Sequence, residues 1–181
     1  MAKIRRTVET RSAAEIFAVN ERANQLLLER LDPAAWRAKP AGGVRTIAAI
    51  VTHVHNVRAK WVRLNAPQVG VPVRLHWARC TQDEARVGLA GSAVACEEML
   101  ALAAGGGVKE FLRDGWATAW PVGVEMICYM VAHEAHHRGQ IGMLAHQMGF
   151  ELPKDVMYGM WSWERLGIKW RRAGERIGGM R

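Results

Sequence analysis

The sequence predicts an all-α protein, a four-helix bundle with a short C-terminal helical extension, on three observations. Four segments carry apolar residues at helical spacing, each is bounded by a capping or breaking residue, and neither strand alternation nor an internal repeat is evident. A chain of 181 residues fits one domain, with the bundle over about residues 12–150 and the extension over 151–181. That length buries about two thirds of the unfolded surface, so no disulfide or metal staple is needed for folding.

The first helix is expected to open at Ser12, which forms an S-x-x-E capping box with Glu15, and to stop at Asp32-Pro33. Ile16, Val19, Leu27 and Leu31 supply its core stripe. The second follows the Gly42-Gly43 turn and runs from about Thr46 to Asn65-Ala66-Pro67, with Ile47, Ile50, Val57, Trp61 and Leu64 along one ridge. The third opens on a second capping box, Thr81 with Glu84, and ends near Ala104 at the glycine run 105–107. Pro121 suits a first helical position, so the fourth helix is expected to begin there and to reach Gly149. A short helix is expected over "VKEFLRDG", and another over Tyr158 to Trp170.

Charge and cysteine usage narrow the function classes. Lys and Arg number 25 against 17 Asp and Glu, a net charge of +8, part of it in the tail "KWRRAGERIGGMR". The remaining basic residues are scattered, with no helix-turn-helix signature and no basic block interleaved with aromatics, so a nucleic-acid partner is not expected. A basic surface with an anionic small-molecule substrate fits the charge as well as nucleic acid does, and a merely solvated basic face fits it best. No stretch reaches the roughly 18 uncharged apolar residues of a membrane span, and "MAKIRRTVETRS" leads into no apolar signal core. Cys80, Cys96 and Cys128 form no C-x-x-C array and are expected as buried free thiols in a reducing cytoplasm.

The chemistry concentrates in "CYMVAHEAHHRGQIGMLAHQMGF", residues 128–150, which contains the H-E-x-x-H string of zinc peptidases. At about 100° per residue, His133 and His137 lie within roughly 40° and one turn of each other. Met126, Met130, Ile141, Leu144 and Met148 share their arc, whereas His136 and His146 fall outside it. Two imidazoles in an apolar stripe are costly unless their nitrogens are engaged, either by hydrogen bonds as core histidines or together by one metal ion. His53 sits between Ile50 and Val57 on the inward ridge of the second helix, while His55 reads as a surface or helix-contact residue. Packing the second helix beside the fourth would set His53 opposite His133 and His137, giving three ligands and an open position. Imidazole ligands suit zinc, nickel, iron or copper alike.

The peptidase reading fares poorly on the same residues. A metzincin needs Gly and His where Gln140 and Met143 stand. A gluzincin-like site would need a downstream carboxylate, for which Glu151, Asp155 and Glu164 are the candidates. Glu134 is turned about 100° from His133. It is expected in surface or interhelix pairing, with a hydrogen bond to a metal-held water as the alternative. Gly139 would let a neighbouring helix approach. Gln140 would hydrogen-bond near the ligands, and Arg138 would anchor an anionic substrate or pair with a carboxylate. Among the eight tryptophans, core filling is the default for each; Trp61 is expected to pack near the floor of the site, and the alternative for Trp161, Trp163 and Trp170 is a pocket mouth or a dimer face.

"HEAHHRGQIGMLAHQMG" resembles the C-terminal helix signature of the DinB/YfiT-like superfamily, H-x-x-x-H followed by R-G-Q-[IL]. "RTIAAIVTHVHNVRAKWV" resembles that family's second helix, with a histidine seven residues after a Ser or Thr, here Thr46 to His53. The resemblance covers about residues 12–150. It implies a four-helix bundle, frequently dimeric, with a divalent ion such as zinc or nickel on His53, His133 and His137. Its better understood branches resemble transferases and isomerases that use low-molecular-weight thiols such as bacillithiol or mycothiol. The expected function is therefore metal-dependent S-transfer, isomerisation or hydrolysis through a metal-activated thiol or water. A non-catalytic metal-binding stress-response module is the alternative, and a zincin-like metallopeptidase the remote one.

Overall fold

The computed structural model describes residues 12–167 other than Asp114, Trp116 and Ala117. In chain order it contains α1 (Ala13–Arg30), α2 (Ile47–Asn65), α3 (Gln82–Ala104), β1 (Glu110–Phe111), β2 (Trp120–Pro121), α4 (Val124–Gln147) and α5 (Lys154–Gly159). Both expected capping boxes form: the side chains of Ser12 and Thr81 accept from the backbone of Glu15 and Glu84, whose carboxylates return the bond. At the other end, α3 and α4 stop in Schellman motifs. Gly107 N–H reaches Leu102 O at 2.8 Å, and Phe150 N–H reaches Ala145 O at 2.8 Å. Gly106 (φ 78°) and Gly149 (φ 82°) take the left-handed turn these motifs require.

Each of α1 and α2 packs against both α3 and α4, so the four long helices form a ring in the order α1, α3, α2, α4. This arrangement puts α2 beside α4. The core divides into two apolar layers. One gathers Leu27, Ile47, Ile50, Val54, Ile141 and Ala145; the other gathers Phe17, Trp61, Val62, Met99, Met126 and Met130. Each fully buried side chain of this size stabilises the fold by about 1.5–3 kcal/mol. Between the layers the same helices carry polar residues: Asn20 and Asn24 on α1, Arg58 on α2, and Glu134 and His137 on α4, all buried.

Several expectations are corrected. The segment expected as a helix over "VKEFLRDG" instead supplies β1, which pairs antiparallel with β2, Glu110 opposite Pro121 and Phe111 opposite Trp120. Burial of Phe111 between Trp61 and Tyr129, at ring distances of 6.2 and 6.0 Å, overrides the local helix preference. Pro121 therefore lies in a strand, and α4 starts later, after Gly123 reverses the chain at φ 110°. The tail helix is α5, ending at Gly159, where a Cβ would meet Leu26 Cδ2 at 2.9 Å. Trp163 packs beside Val19, Ala23 and Leu166 on the α1 side, Trp161 is exposed, and Trp170 lies outside the described residues.

Cys80 and Cys96 are buried as expected, but Cys128 is exposed. Ile16, placed in the core stripe, is only partly buried. α3 is long and apolar enough to cross a membrane by length and composition, although Glu97 and Glu98 interrupt it so that it holds no run of about 18 uncharged apolar residues. In this protein it packs against α1 and α2.

Candidate metal centre

Local structure sets up the site. Thr46 Oγ1 accepts from Ala49 N–H at 3.2 Å and fixes the start of α2, leaving His53 about two turns inside the helix. The threonine seven residues before the histidine is thus a cap rather than a ligand. α4 presents His133 and His137 one turn apart toward α2. The ring centroids of His53 lie 4.8 Å from His137 and 5.5 Å from His133, and those of His133 and His137 lie 4.6 Å apart. One nitrogen from each of the three lies within 4.8 Å of the others, so the group can hold a metal ion.

Two observations test whether these residues fit an ion. Gln140 Oε1 lies 2.7 Å from His137 Nδ1. A carbonyl oxygen only accepts, so Nδ1 carries the proton and Nε2 keeps the lone pair a metal needs. His133 Nδ1 is buried and, among the described residues, has no hydrogen-bond partner. Such an orphaned acceptor or donor costs about 1–3 kcal/mol unless engaged. Hydrogen bonds among the described residues do not account for it, and the imidazole group of which His133 is part could hold a metal ion.

The electrostatics keep the rings ready for a cation. Burial first, then the neighbouring His137 charge, holds His53 down at about 4, with Arg45 and Lys60 adding to the effect. Burial first, then His137 and His53, holds His133 at about 4, and burial also lowers His137. Against an ordinary value of about 6.5, the unfolded chain therefore binds more protons than the metal-free fold between about pH 6.5 and 4. Metal-free protein is expected to lose stability as pH falls through that window. A His53→Asn/His133→Asn variant should lose less in thermal denaturation at pH 7 and pH 5; equal losses would refute the assignment.

Aromatic rings wall one side. Trp61 meets His133 edge-on at 5.4 Å, as expected of a residue near the floor of the site, and Tyr129, one turn before His133, stacks on it at 6.3 Å. Trp120 lies 5.3 Å from Tyr129, and the Arg113 guanidinium covers the Trp120 ring at 3.6 Å. The β1–β2 hairpin is what brings Arg113 and Trp120 here, so the element missed in the sequence shapes this wall.

Glu134 has a different task from the one its motif suggests. It is fully buried; Oε1 accepts from Arg58 Nε at 2.7 Å, and Oε2 accepts from Arg58 Nη2 at 2.6 Å, Asn20 Nδ2 at 2.6 Å and Asn24 Nδ2 at 2.8 Å. Burial alone would raise its pKa, but Arg58, with Asn24 and Arg138, holds the carboxyl below the usual range. Both oxygens are occupied by Arg58, Asn20 and Asn24, so the metallopeptidase reading loses its general base. Interhelix pairing is the correct description, and surface pairing is not.

Arg138 Nη1 donates to Asn20 Oδ1 and Asn24 Oδ1 at 2.7 Å each, completing this cluster rather than offering an anion anchor. A Cβ at Gly139 would meet nothing within 4 Å, so no helix among the described residues approaches there. His55 is a buried helix-contact residue and not a surface one: Nδ1 lies 3.0 Å from Gly88 O on α3 and Nε2 lies 2.8 Å from Val73 O. Glu151 pairs with His146 at 3.2 Å and Asp155 with Arg30 at 3.3 Å, and neither they nor Glu164 join the histidine group. A concavity of about 960 Å3 between α3 and residues 69–80 is lined in part by His55 but by none of the three histidines. The three converging donors define the candidate site better than that volume does.

Arg58, Asn20, Asn24 and Tyr129 were not singled out from the sequence. A signal existed for the first three. Asn20 and Asn24 interrupt the spacing Phe17, Asn20, Asn24, Leu27, and Arg58 interrupts Val54, Arg58, Val62; polar residues inside an apolar ridge are the informative exception.

The family model described as the DinB superfamily matches residues 17–141, a span that holds most of α1, all of α2 and α3, both β-strands and all three histidines. No curated protein and no solved structure matches the chain.

Proposed function

The chain belongs to the DinB superfamily, and from that premise we propose that it is a divalent-metal-dependent enzyme whose ion, zinc or nickel, is held by His53, His133 and His137. The reaction proposed is transfer or isomerisation with a low-molecular-weight thiol, or hydrolysis, on a small molecule in the cytoplasm. The observation that supports it most is the convergence of three imidazoles, one carrying an unpartnered buried nitrogen.

A divalent ion at this position supplies Lewis acidity that makes a thiol or water nucleophilic at neutral pH. The chain's own residues prepare for it. Gln140 holds His137 in one tautomer. Trp61 and Tyr129 shield His133 from water on one side. Arg45 and Lys60 bias the potential at His53 toward anions, which suits a thiolate or a carboxylate-bearing substrate.

A metal-binding module without turnover is the second reading. It is favoured by the composition of the group, in which, among the described residues, no carboxylate or thiol joins the imidazoles. Chelator-treated protein titrated with zinc and nickel, then assayed for thiol consumption against a generic electrophile with several cellular thiols, separates the two. Stoichiometric binding with turnover is expected. Binding without turnover for any thiol supports the module, and failure to bind either metal removes both readings.

A further inference from the structure

The polar layer between the two apolar layers does more than satisfy itself. We infer that Arg58 and Glu134 are positioning residues for the three-histidine site, locking the rotation of α4 against α2 so that His133 and His137 face His53. The inference rests on the metal-site reading above but concerns different residues.

Its geometry is specific. Glu134 directly follows His133 and lies roughly 60° from His137 around α4, while Arg58 lies five residues beyond His53, about 140° around α2. The Arg58 fork spans the same helix seam as the histidines, on its buried flank. Nε and Nη2 bind the two oxygens of Glu134 in parallel at 2.7 and 2.6 Å, Nη2 also meets Glu21 Oε2 at 2.7 Å, and Nη1 donates to Leu89 O at 2.8 Å on α3. Asn20 and Asn24 of α1 take the remaining valence of the carboxylate. All four helices of the ring therefore meet at one ion pair whose two-pronged geometry tolerates little rotation.

An apolar core has no such preference. Hydrophobic stripes on α2 and α4 leave small rotations nearly isoenergetic, whereas three imidazole nitrogens must converge on one point. A bidentate ion pair one residue from a ligand removes that freedom. This explains a charged pair at zero exposure that stability alone does not call for, since well-packed apolar replacements are often as stable.

Two variants and two readouts test the inference. Arg58→Lys keeps the charge and loses the fork, while Arg58→Met/Glu134→Leu removes both charges and fills the space. Each is measured for zinc affinity by chelator competition, with the cobalt-substituted absorption spectrum, and for the nuclear Overhauser contact between the His53 and His137 rings in metal-free protein. The expected result is folded protein that binds zinc at least about tenfold more weakly, the scale of outer-shell partners, with an altered cobalt spectrum and a weakened ring contact.

Wild-type affinity, spectrum and ring contact in Arg58→Lys would overturn the inference even if the double variant fails to fold. Were the wild type to bind no metal while the ring contact still depended on Arg58, the metal reading would fall and the positioning would stand.

Discussion

Replacing His53 by alanine is expected to weaken zinc or nickel binding by well over a hundredfold, beyond the roughly 10–100-fold that outer-shell partners carry. The two histidines on α4 alone would offer the ion a chelate from one face of one helix. His53 is the single ligand from α2 and closes the group from across the seam. The fold should survive, because His53 is only half-buried, and its removal takes away a ring whose burial pulls its pKa to about 4. Competition against a chromophoric chelator reads the affinity, and circular dichroism of the metal-free variant reads the fold. His146→Ala provides the control: it lies on the same helix, exposed and paired with Glu151. If His53→Ala kept wild-type affinity and stoichiometry, the three-histidine assignment would be wrong.

The histidines were legible in the sequence because helical periodicity is a one-dimensional property. Spacing alone puts His133 beside His137, and the ridge Ile50, His53, Val57 turns the third ring inward. Capping boxes were legible for the same reason: their bonds close within four residues. What could not be read depends on which helix stands opposite. Glu134 lies off the histidine seam by angle, but only the ring order α1, α3, α2, α4 brings Arg58 and Asn24 to it. Likewise Phe111 and Trp120 pair because Trp61 and Tyr129 form the floor they pack on, and nothing within "VKEFLRDG" announces that floor.

Arg58→Ala is expected to be the most damaging single substitution for stability, costing about 3–5 kcal/mol at neutral pH out of the roughly 5–15 kcal/mol that typically hold a domain. The size follows from what is left behind. Glu134 would remain fully buried with only the Asn20 and Asn24 amides, Glu21 would lose its cationic partner and keep only amide donors, and Leu89 O would lose one of its donors, keeping Ser92 Oγ. Arg58 itself is held charged: burial opposes its charge, but Glu134 and Glu21 outweigh that and raise its pKa.

The loss should depend on pH in a direction that identifies the mechanism. In the intact protein the folded-state pKa of Glu134 is depressed, so its stabilisation is full above the unfolded value and fades as pH falls through the folded one. Without Arg58, burial dominates and pushes that pKa above the unfolded value. The variant's carboxyl then takes up a proton on folding, and the gap between variant and wild type narrows on acidification. Urea denaturation at pH 7.5 and pH 5 measures both arms. A gap that stayed constant would mean that the lost contact of the Arg58 guanidinium with the Phe17 ring, 5.1 Å from its carbon to the ring centre, and not an abandoned carboxylate, sets the cost.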